Sequence, residues 1–470
     1  MKKIIYILIP IVMAVAVLVT IGCVVITHAR QPEATEPAPQ QAEGGSVQIL
    51  DAQGQQLLLA SRREDFYQAE QWAYLEIVLN ELTEILMEQE GCDAVQAQQL
   101  LFSQNCQVQT SFDPVAYGAM KQVAEIWMTV GDSAYVLTDT RGNLVAAYSH
   151  DAQQKKINHT LDRRSPYSSF KALSVYTPAL EQGVVNWSTA FVDSPYKQIK
   201  AADGSLQDWP ANATGEYTQR DMMVYEALKV SQNTVAVKCL AELGVSEAIK
   251  FLQTGFDIPL VEEEYVVANY GADEAIGSVA LGYLETGITP VEMAGYYQIF
   301  ANGGSYTPPE CVQAILLEDG SALYTRESSS RQVVRPATAD TMNRLLQGVV
   351  EAGGTGKAAS CEGVEVAGKT GTGDDFADNW FAGVTPDYSL SVWHGQSDRN
   401  YAAGIFSEMV EAIYNQLPNA NRRFISHVNL EQLIYCEVSG KAISPDCALI
   451  GVGYYESKET LPVCDVCKKQ

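Results

Sequence analysis

Between residues 4 and 26 the chain is almost wholly apolar and carries no charge, a run long enough to cross a bilayer as one helix. Lys2 and Lys3 stand in front of it, which orients such a helix with its N-terminus in the cytoplasm and the rest of the chain outside. A cleaved signal peptide is the alternative. The length of the run and the lack of a clear small-residue cleavage site favour a retained anchor. Cys23, after Thr20-Ile21-Gly22, hints at lipidation, but Val24, Val25 and Ile26 continue the apolar run. Residues 28–46 lose this pattern; rich in Pro, Gln, Glu, Ala and Gly, they read as a flexible tether.

Globular patterning begins at Val47-Gln48-Ile49-Leu50, a strand with a turn at Asp51-Ala52-Gln53-Gly54. Trp72, Leu75, Leu79, Leu82 and Leu86 recur at three- and four-residue spacing and predict a core helix over 69–90, ended by Gly91. A short strand over 107–111 follows. Asp113 and Pro114 supply the cap and first turn of a helix to Trp127. Residues 135–137 and 144–147 alternate as a hairpin around Asp139-Thr140-Arg141-Gly142. Helical stretches alternate with loops from there to about residue 425, except for a late β-rich block. Its strands cover 363–372, 379–384 and 389–394, with a turn at Pro386-Asp387. Early and late strands around a helix-rich middle indicate an α+β fold. No internal repeat is visible.

The 470 residues allow two or three domains, and 47% hydrophobic with 19% charged residues suits a folded protein. A formal net charge of −26 argues against nucleic acid as a partner, since phosphate binding needs a basic face. Six of the ten cysteines are scattered; Cys436, Cys447, Cys464 and Cys467 cluster at the end. Outside the membrane such spacing favours disulfides, while the terminal C-x-x-C can instead complete a tetrahedral zinc site. Either linkage ties down a loose tail.

The candidate chemistry lies in three short motifs. Ser168-Ser169-Phe170-Lys171 reads S-x-x-K inside a predicted helix over 166–181 that is kinked near Pro178. Positions three apart share a helix face, so the Lys171 amine can reach the Ser168 hydroxyl. A serine needs an adjacent base to become a nucleophile. A lysine serves only when neutral, through burial or a nearby cation such as Lys369. Ser231-Gln232-Asn233 reads S-x-N; its hydroxyl can relay a proton and its amide can bind a peptide carbonyl or a lysine. Lys369-Thr370-Gly371-Thr372 ends the strand of the late block that begins near Val364. Gly371 leaves room for a peptide to lie alongside. Lys369, Thr370 and Thr372 can hold a carboxylate. A second S-x-x-K, Ser194 to Lys197, has Pro195 after its serine, which argues against a shared mid-helix face.

S-x-x-K, S-x-N and K-T-G in this order resemble penicillin-binding proteins and serine β-lactamases. From about residue 98 onward the chain is similar to the transpeptidase half of class A penicillin-binding proteins. Thr110-Ser111-Phe112-Asp113, Ala179-Leu180-Glu181, Trp209-Pro210-Ala211-Asn212, Ala301-Asn302-Gly303-Gly304, Gly354-Thr355-Gly356 and Asp378-Asn379-Trp380-Phe381-Ala382-Gly383 carry the likeness, as does the cysteine tail. The resemblance implies a β-lactamase/transpeptidase-like α+β fold, an antiparallel sheet packed with a helical subdomain. It implies acyl transfer on the D-Ala-D-Ala stem peptides of peptidoglycan, at the outer face of a bacterial cytoplasmic membrane. β-Lactams are then inhibitors, and neither a cofactor nor a catalytic metal is expected. Ser168 would be the nucleophile, Lys171 the base, and Ser231 and Asn233 the proton shuttle. Lys369 to Thr372 would hold the carboxylate, and the backbone amides of Ser168 and Thr372 the oxyanion.

The expected organisation is a stub and transmembrane anchor at 1–28, a tether at 29–46, a small α+β pedestal at 47–127, a transpeptidase domain at 128–425 and a cysteine-rich tail at 426–470. Two departures stand out. Tyr167 and Ala172 occupy positions where the family usually has glycine before the nucleophile and proline after the base, and Tyr167 can narrow the cleft. The roughly 80 residues between tether and Trp127 cannot hold the glycosyltransferase domain beside the helices assigned there, so a separate glycan polymerase is the expected partner. Glu64-Asp65-Phe66-Tyr67 echoes that domain's acidic motif in isolation. A D,D-carboxypeptidase differs only in the acyl acceptor, and a non-catalytic β-lactam or muropeptide sensor is the rival from another class. A β-lactamase is disfavoured, because Glu76 and Asn80 of its E-x-x-x-N pattern lie upstream in the core helix.

Overall fold

The computed structural model describes residues 44–200, 203–258, 260, 274–457 and 459–467. The expected anchor at 4–26 and most of the tether lie outside the described residues. Among the described residues no helix is long and apolar enough to cross a membrane. The described residues from Gly45 onward form one compact unit.

Two five-stranded sheets organise an α+β fold. The second runs Ala367–Thr372, Asp378–Val384, Tyr388–Gly395, Ser133–Asp139, Leu144–His150, antiparallel throughout. It joins the early hairpin to the late β-block, and it leaves Ala367–Thr372 at one edge. Pro114–Trp127 and Ala402–Gln416 pack on each other and on this sheet. The first of these helices is set by its capping residues: the Asp113 carboxylate accepts from Val115 N and Ala116 N, with Pro114 in the first turn. Trp72–Glu90 buries Leu75, Leu79, Leu82 and Leu86. Gly91 ends it with φ +62, and its amide donates to the Met87 carbonyl. The helix starts at Trp72 rather than 69, because a separate short helix, Arg63–Gln68, precedes it. Glu64 to Tyr67 lie in that short helix.

The other sheet runs Ala322–Thr325, Val312–Leu317, Cys106–Thr110, Val47–Leu50, Gln56–Ala60, with one parallel pair, Val47–Leu50 against Cys106–Thr110. Two of its strands come from about 200 residues further along the chain, inside the stretch read as helices and loops. Glu81 seats the first of them. Its carboxylate accepts from Cys311 N at 2.7 Å and Val312 N at 2.8 Å. Burial pushes that carboxyl up to about 7, against the pull of these amide donors.

The run expected as one helix over 166–181 is instead three. Tyr167–Phe170 is a 3₁₀ turn, Ala172–Tyr176 a π turn and Thr177–Glu181 an α turn. Pro178 has no N–H to give and its ring crowds the carbonyl four residues back, so the turn before it widens. There the Thr177 hydroxyl donates to Ala172 O at 2.6 Å.

Candidate active site

The three motifs converge at the inner side of the edge strand Ala367–Thr372. Ser168 sits in the 3₁₀ turn, and Lys171 ends that turn with its backbone amide donating to Ser168 O. Ser168 is half-buried, and among the described residues its Oγ makes no hydrogen bond. The expected direct pairing with Lys171 is therefore not formed. Ser169 is no competitor, since its buried hydroxyl donates to Pro166 O at 2.5 Å.

Lys171 is fully buried. Its Nζ donates to Ser231 O at 2.9 Å and Asn233 Oδ1 at 2.5 Å, and lies 3.5 Å from Ser231 Oγ. Lys369 is equally buried and donates to the same Ser231 Oγ at 2.9 Å and to Thr370 O at 3.0 Å. One hydroxyl thus bridges two amines. Among the described residues no carboxylate pairs with either amine, so desolvation governs both. Burial, and then the charge on Lys369, hold Lys171 well below its usual 10.5. Burial alone brings Lys369 down to about 7. Both amines therefore give up their protons more readily than an exposed lysine does.

Ser231 and Asn233 come off a short turn between Val224–Lys229 and Asn233–Leu243. Ser231 has φ +61, a left-handed conformation strained for serine. A network beneath it fixes that turn. Asn233 Nδ2 donates to Ala211 O at 2.7 Å. Asn212 Oδ1 accepts from Asn233 N at 3.2 Å and Thr234 N at 3.3 Å. Asn212 Nδ2 and Thr234 Oγ1 in turn donate to Asp193 Oδ1, at 2.9 and 2.6 Å. Burial alone would raise the Asp193 carboxyl. Hydrogen bonds from Thr234, Thr218, Gln232 and Asn212 outweigh that and hold it well below the usual carboxylate range. Asp193 escaped the sequence reading because its only visible neighbour there was the second S-x-x-K. The structure separates that motif from the site: Ser194 Oγ accepts from Lys238 at 2.7 Å, and Lys197 begins the exposed strand Lys197–Lys200.

On the edge strand Thr370 is half-buried and Thr372 exposed. Thr370 Oγ1 donates to Thr355 Oγ1 at 3.0 Å, which joins the Gly354-Thr355-Gly356 stretch to the site. Asn400, which sequence reasoning missed, donates to Gly371 O at 3.0 Å and Thr372 Oγ1 at 2.8 Å. Gly371 is also required by the packing of the serine turn. A Cβ there would lie 2.3 Å from Pro166 O and 3.1 Å from Ser169 Oγ. The absent side chain lets the serine turn press against the strand. Tyr167 carries φ +48, a conformation that glycine would adopt freely. Its ring meets Tyr283 edge-on at 5.2 Å and lies so near Gly373 that a Cβ there would sit 2.8 Å from it.

Among the described residues the clusters able to hold a metal are the four terminal cysteines and Asp132 with Asp151 and His159. Neither includes a residue of the three motifs.

A serine in the turn that leads into one of two desolvated amines, against an edge strand that carries two threonine hydroxyls, is equipped for acyl transfer. Likeness to known proteins points to the same class, the serine acyltransferases. The chain belongs to the penicillin-binding protein transpeptidase family: the family model described as penicillin binding protein transpeptidase domain matches residues 133–415, a range that holds all three motifs. Penicillin-binding protein 1A of Clostridium botulinum (strain Langeland) is 31% identical over 264 residues, 56% of this chain and 30% of that protein. Penicillin-binding protein 4 of Bacillus subtilis is 28% identical over 360 residues, 71% of this chain and 54% of that protein. The chain thus spans from about a third to about half of the length of these relatives. The structure of PonA1 from Mycobacterium tuberculosis in complex with penicillin V superposes with a TM-score of 0.59 at 23% identity, covering 78% of this chain and 98% of that one. That likeness is one of fold.

Proposed function

We propose that this protein is a peptidoglycan D,D-transpeptidase that works through an acyl-enzyme on Ser168. Neutral Lys171 accepts the Ser168 proton as Oγ attacks the carbonyl of the penultimate D-Ala. The C–N bond to the terminal D-Ala breaks, and Ser231 hands a proton to the departing amine. The amine of a second stem peptide then attacks the ester, its proton returns through the same groups, and Ser168 is freed. Protonated Lys369, with the Thr370 and Thr372 hydroxyls, holds the terminal carboxylate. The amides of Ser168 and Thr372 receive the oxyanion. A β-lactam enters by the same first step and stops there.

The observation that carries this reading is the pair of buried lysines sharing the Ser231 hydroxyl. Burying two amines with no carboxylate beside them is costly; it weakens the hold of both on their protons, which a lysine acting as base requires. Anchoring through residues 4–26, an extracytoplasmic catalytic domain and cross-linking of strands made by a separate membrane-bound polymerase complete the proposal. Purified protein is expected to attach a fluorescent penicillin to Ser168, located by mass mapping, and Ser168→Ala to abolish the label while the fold survives. Label on Ser194, or none on folded protein, refutes the assignment. Supplying an amine acceptor to the acyl-enzyme separates transpeptidation from carboxypeptidation, and glycan chains made from lipid II by this protein alone would refute the need for a partner.

A further inference from the structure

The four cysteines of the tail stand apart from the catalytic site, in a segment that has little core of its own. Glu431–Cys436 and Ile450–Tyr455 form a two-stranded ribbon. In residues 426–470 the buried apolar side chains among the described residues are Tyr435, Cys436, Tyr455 and Cys464. Ile434, Leu449, Ile450, Val452, Val463 and others of the tail stay exposed. Tyr435 and Tyr455 join the main core cluster, but a segment of about 45 residues that buries so few apolar side chains gains much from a covalent or metal cross-link.

Local backbone structure gathers the four thiols. Cys436 N donates to Lys441 O at 2.7 Å, which closes a turn at Gly440, and Cys464 N donates to Ala442 O at 2.8 Å, which sets the last segment beside that turn. Cys447 N donates to Ser444 O at 3.1 Å. As a result the Sγ atoms of Cys436, Cys447, Cys464 and Cys467 all lie within 4.8 Å of one another, with Cys436 and Cys467 at 3.6 Å. All four are free thiols. A tetrahedron with zinc–sulfur arms of ~2.3 Å has edges of ~3.8 Å. Four thiols gathered this closely, with one pair at 3.6 Å, are spaced to share one such ion. Donors face the sulfurs as well: Ser439 Oγ donates to Cys464 Sγ at 3.2 Å, and Ser444 N to Cys447 Sγ at 3.3 Å. Hydrogen bonds of this kind stabilise metal-bound thiolates.

We propose that Cys436, Cys447, Cys464 and Cys467 bind one Zn²⁺ as a closed structural tetrathiolate site. The four thiols lose their protons to solvent as the ion enters, and no oxidant is involved, in contrast to disulfide formation. The folded tail then clamps the chain just beyond Thr177–Glu181. The Gly440 carbonyl accepts from Ser188 Oγ at 2.6 Å, Tyr455 OH donates to Ser188 Oγ at 2.8 Å, and the Tyr454 ring meets Trp187 at 5.2 Å. Arg335 ties Glu456 of the tail to Glu181 at the end of that turn.

Full-length protein purified without chelator is expected to carry one zinc per chain by elemental analysis. Replacing it with Co²⁺ should give the sulfur-to-metal charge-transfer and visible bands of tetrahedral thiolate ligation. Cys447→Ser and Cys467→Ser should weaken metal binding by more than the ~100-fold typical of losing an outer-sphere partner, with Cys92→Ser unchanged. If a ligand variant does not fold, the cobalt spectrum of the wild type decides alone. Metal-free protein whose denatured mass shows two disulfides among these cysteines overturns the proposal, as does a cobalt spectrum without thiolate bands.

Discussion

Replacing Lys369 with methionine should make the protein more stable while disabling it. The side chain is fully buried, and burial lowers its pKa from the usual 10.5 to about 7. Each tenfold loss of proton affinity is worth about 1.4 kcal/mol, so at pH 7 folding works against this lysine by on the order of 4 kcal/mol. Methionine keeps the unbranched shape and removes the charge. It also removes the donor to Ser231 Oγ at 2.9 Å and Thr370 O at 3.0 Å, at a cost of about 1 kcal/mol or slightly more. A net gain of about 2–3 kcal/mol remains. The pH dependence identifies the cause. Between the folded value of about 7 and the unfolded 10.5 the unfolded chain binds the extra proton. Wild-type stability therefore rises with pH across that window, by up to about 1.4 kcal/mol per pH unit from this group, and the full penalty persists below it. Lys369→Met should lack that slope, so the two proteins converge toward pH 10.5. Urea unfolding of both across this window measures the effect. A variant less stable than wild type at pH 7, or one with the same slope, would refute the argument that desolvation of Lys369 is stored for function. Loss of carboxylate binding, read as a raised KM for a stem-peptide analogue, should accompany the gain.

Other outcomes follow from the same geometry. Lys171→Ala should slow penicillin acylation by about 10²- to 10⁴-fold, the usual worth of a general base, with reversible binding nearly unchanged; equal losses in both would argue against its role. Gly371→Ala sets a Cβ 2.3 Å from Pro166 O, so stopped-flow acylation should fall at least tenfold, about 1.4 kcal/mol in barrier, and an unchanged rate would show that the serine turn can retreat. Asp193→Ala leaves Asn212 and Thr234 without their shared acceptor, which should cost about 1–3 kcal/mol in unfolding free energy. Because Asn233 shifts with them, the acylation rate should fall as well, and a stability loss alone would limit Asp193 to scaffolding.

Legibility followed the range of the interaction. Gly91, the Asp113-Pro114 cap and the hairpin at Asp139 to Gly142 are local devices, and their elements appear within a few residues of where the sequence puts them. The three motifs were readable because acyl-transfer chemistry restricts which side chains can stand at those spacings. The local conformation of Tyr167 to Glu181 was not, since a proline's effect on the turns before it depends on what fills the space. Asp193 and Asn400 were invisible for a related reason: each acts on the site through partners that sit beside it only after folding. The strand Val312–Leu317 looks apolar in sequence, but nothing nearby says that its neighbour is Cys106–Thr110.

That pairing limits how the protein can be divided. Cys106–Thr110 is the central strand of its sheet, with Val47–Leu50 on one side and Val312–Leu317 on the other. The boundary that looks natural along the chain, after Trp127, cuts through one sheet in space. A catalytic fragment beginning there would carry Val312–Leu317 and Ala322–Thr325 as a stranded hairpin, its inner edge open and Val312 and Ile315 stripped of cover. Open apolar edges recruit other chains. Any exchange of the pedestal would have to carry residues 312–325 along with it, because the sheet closes only when both stretches are present.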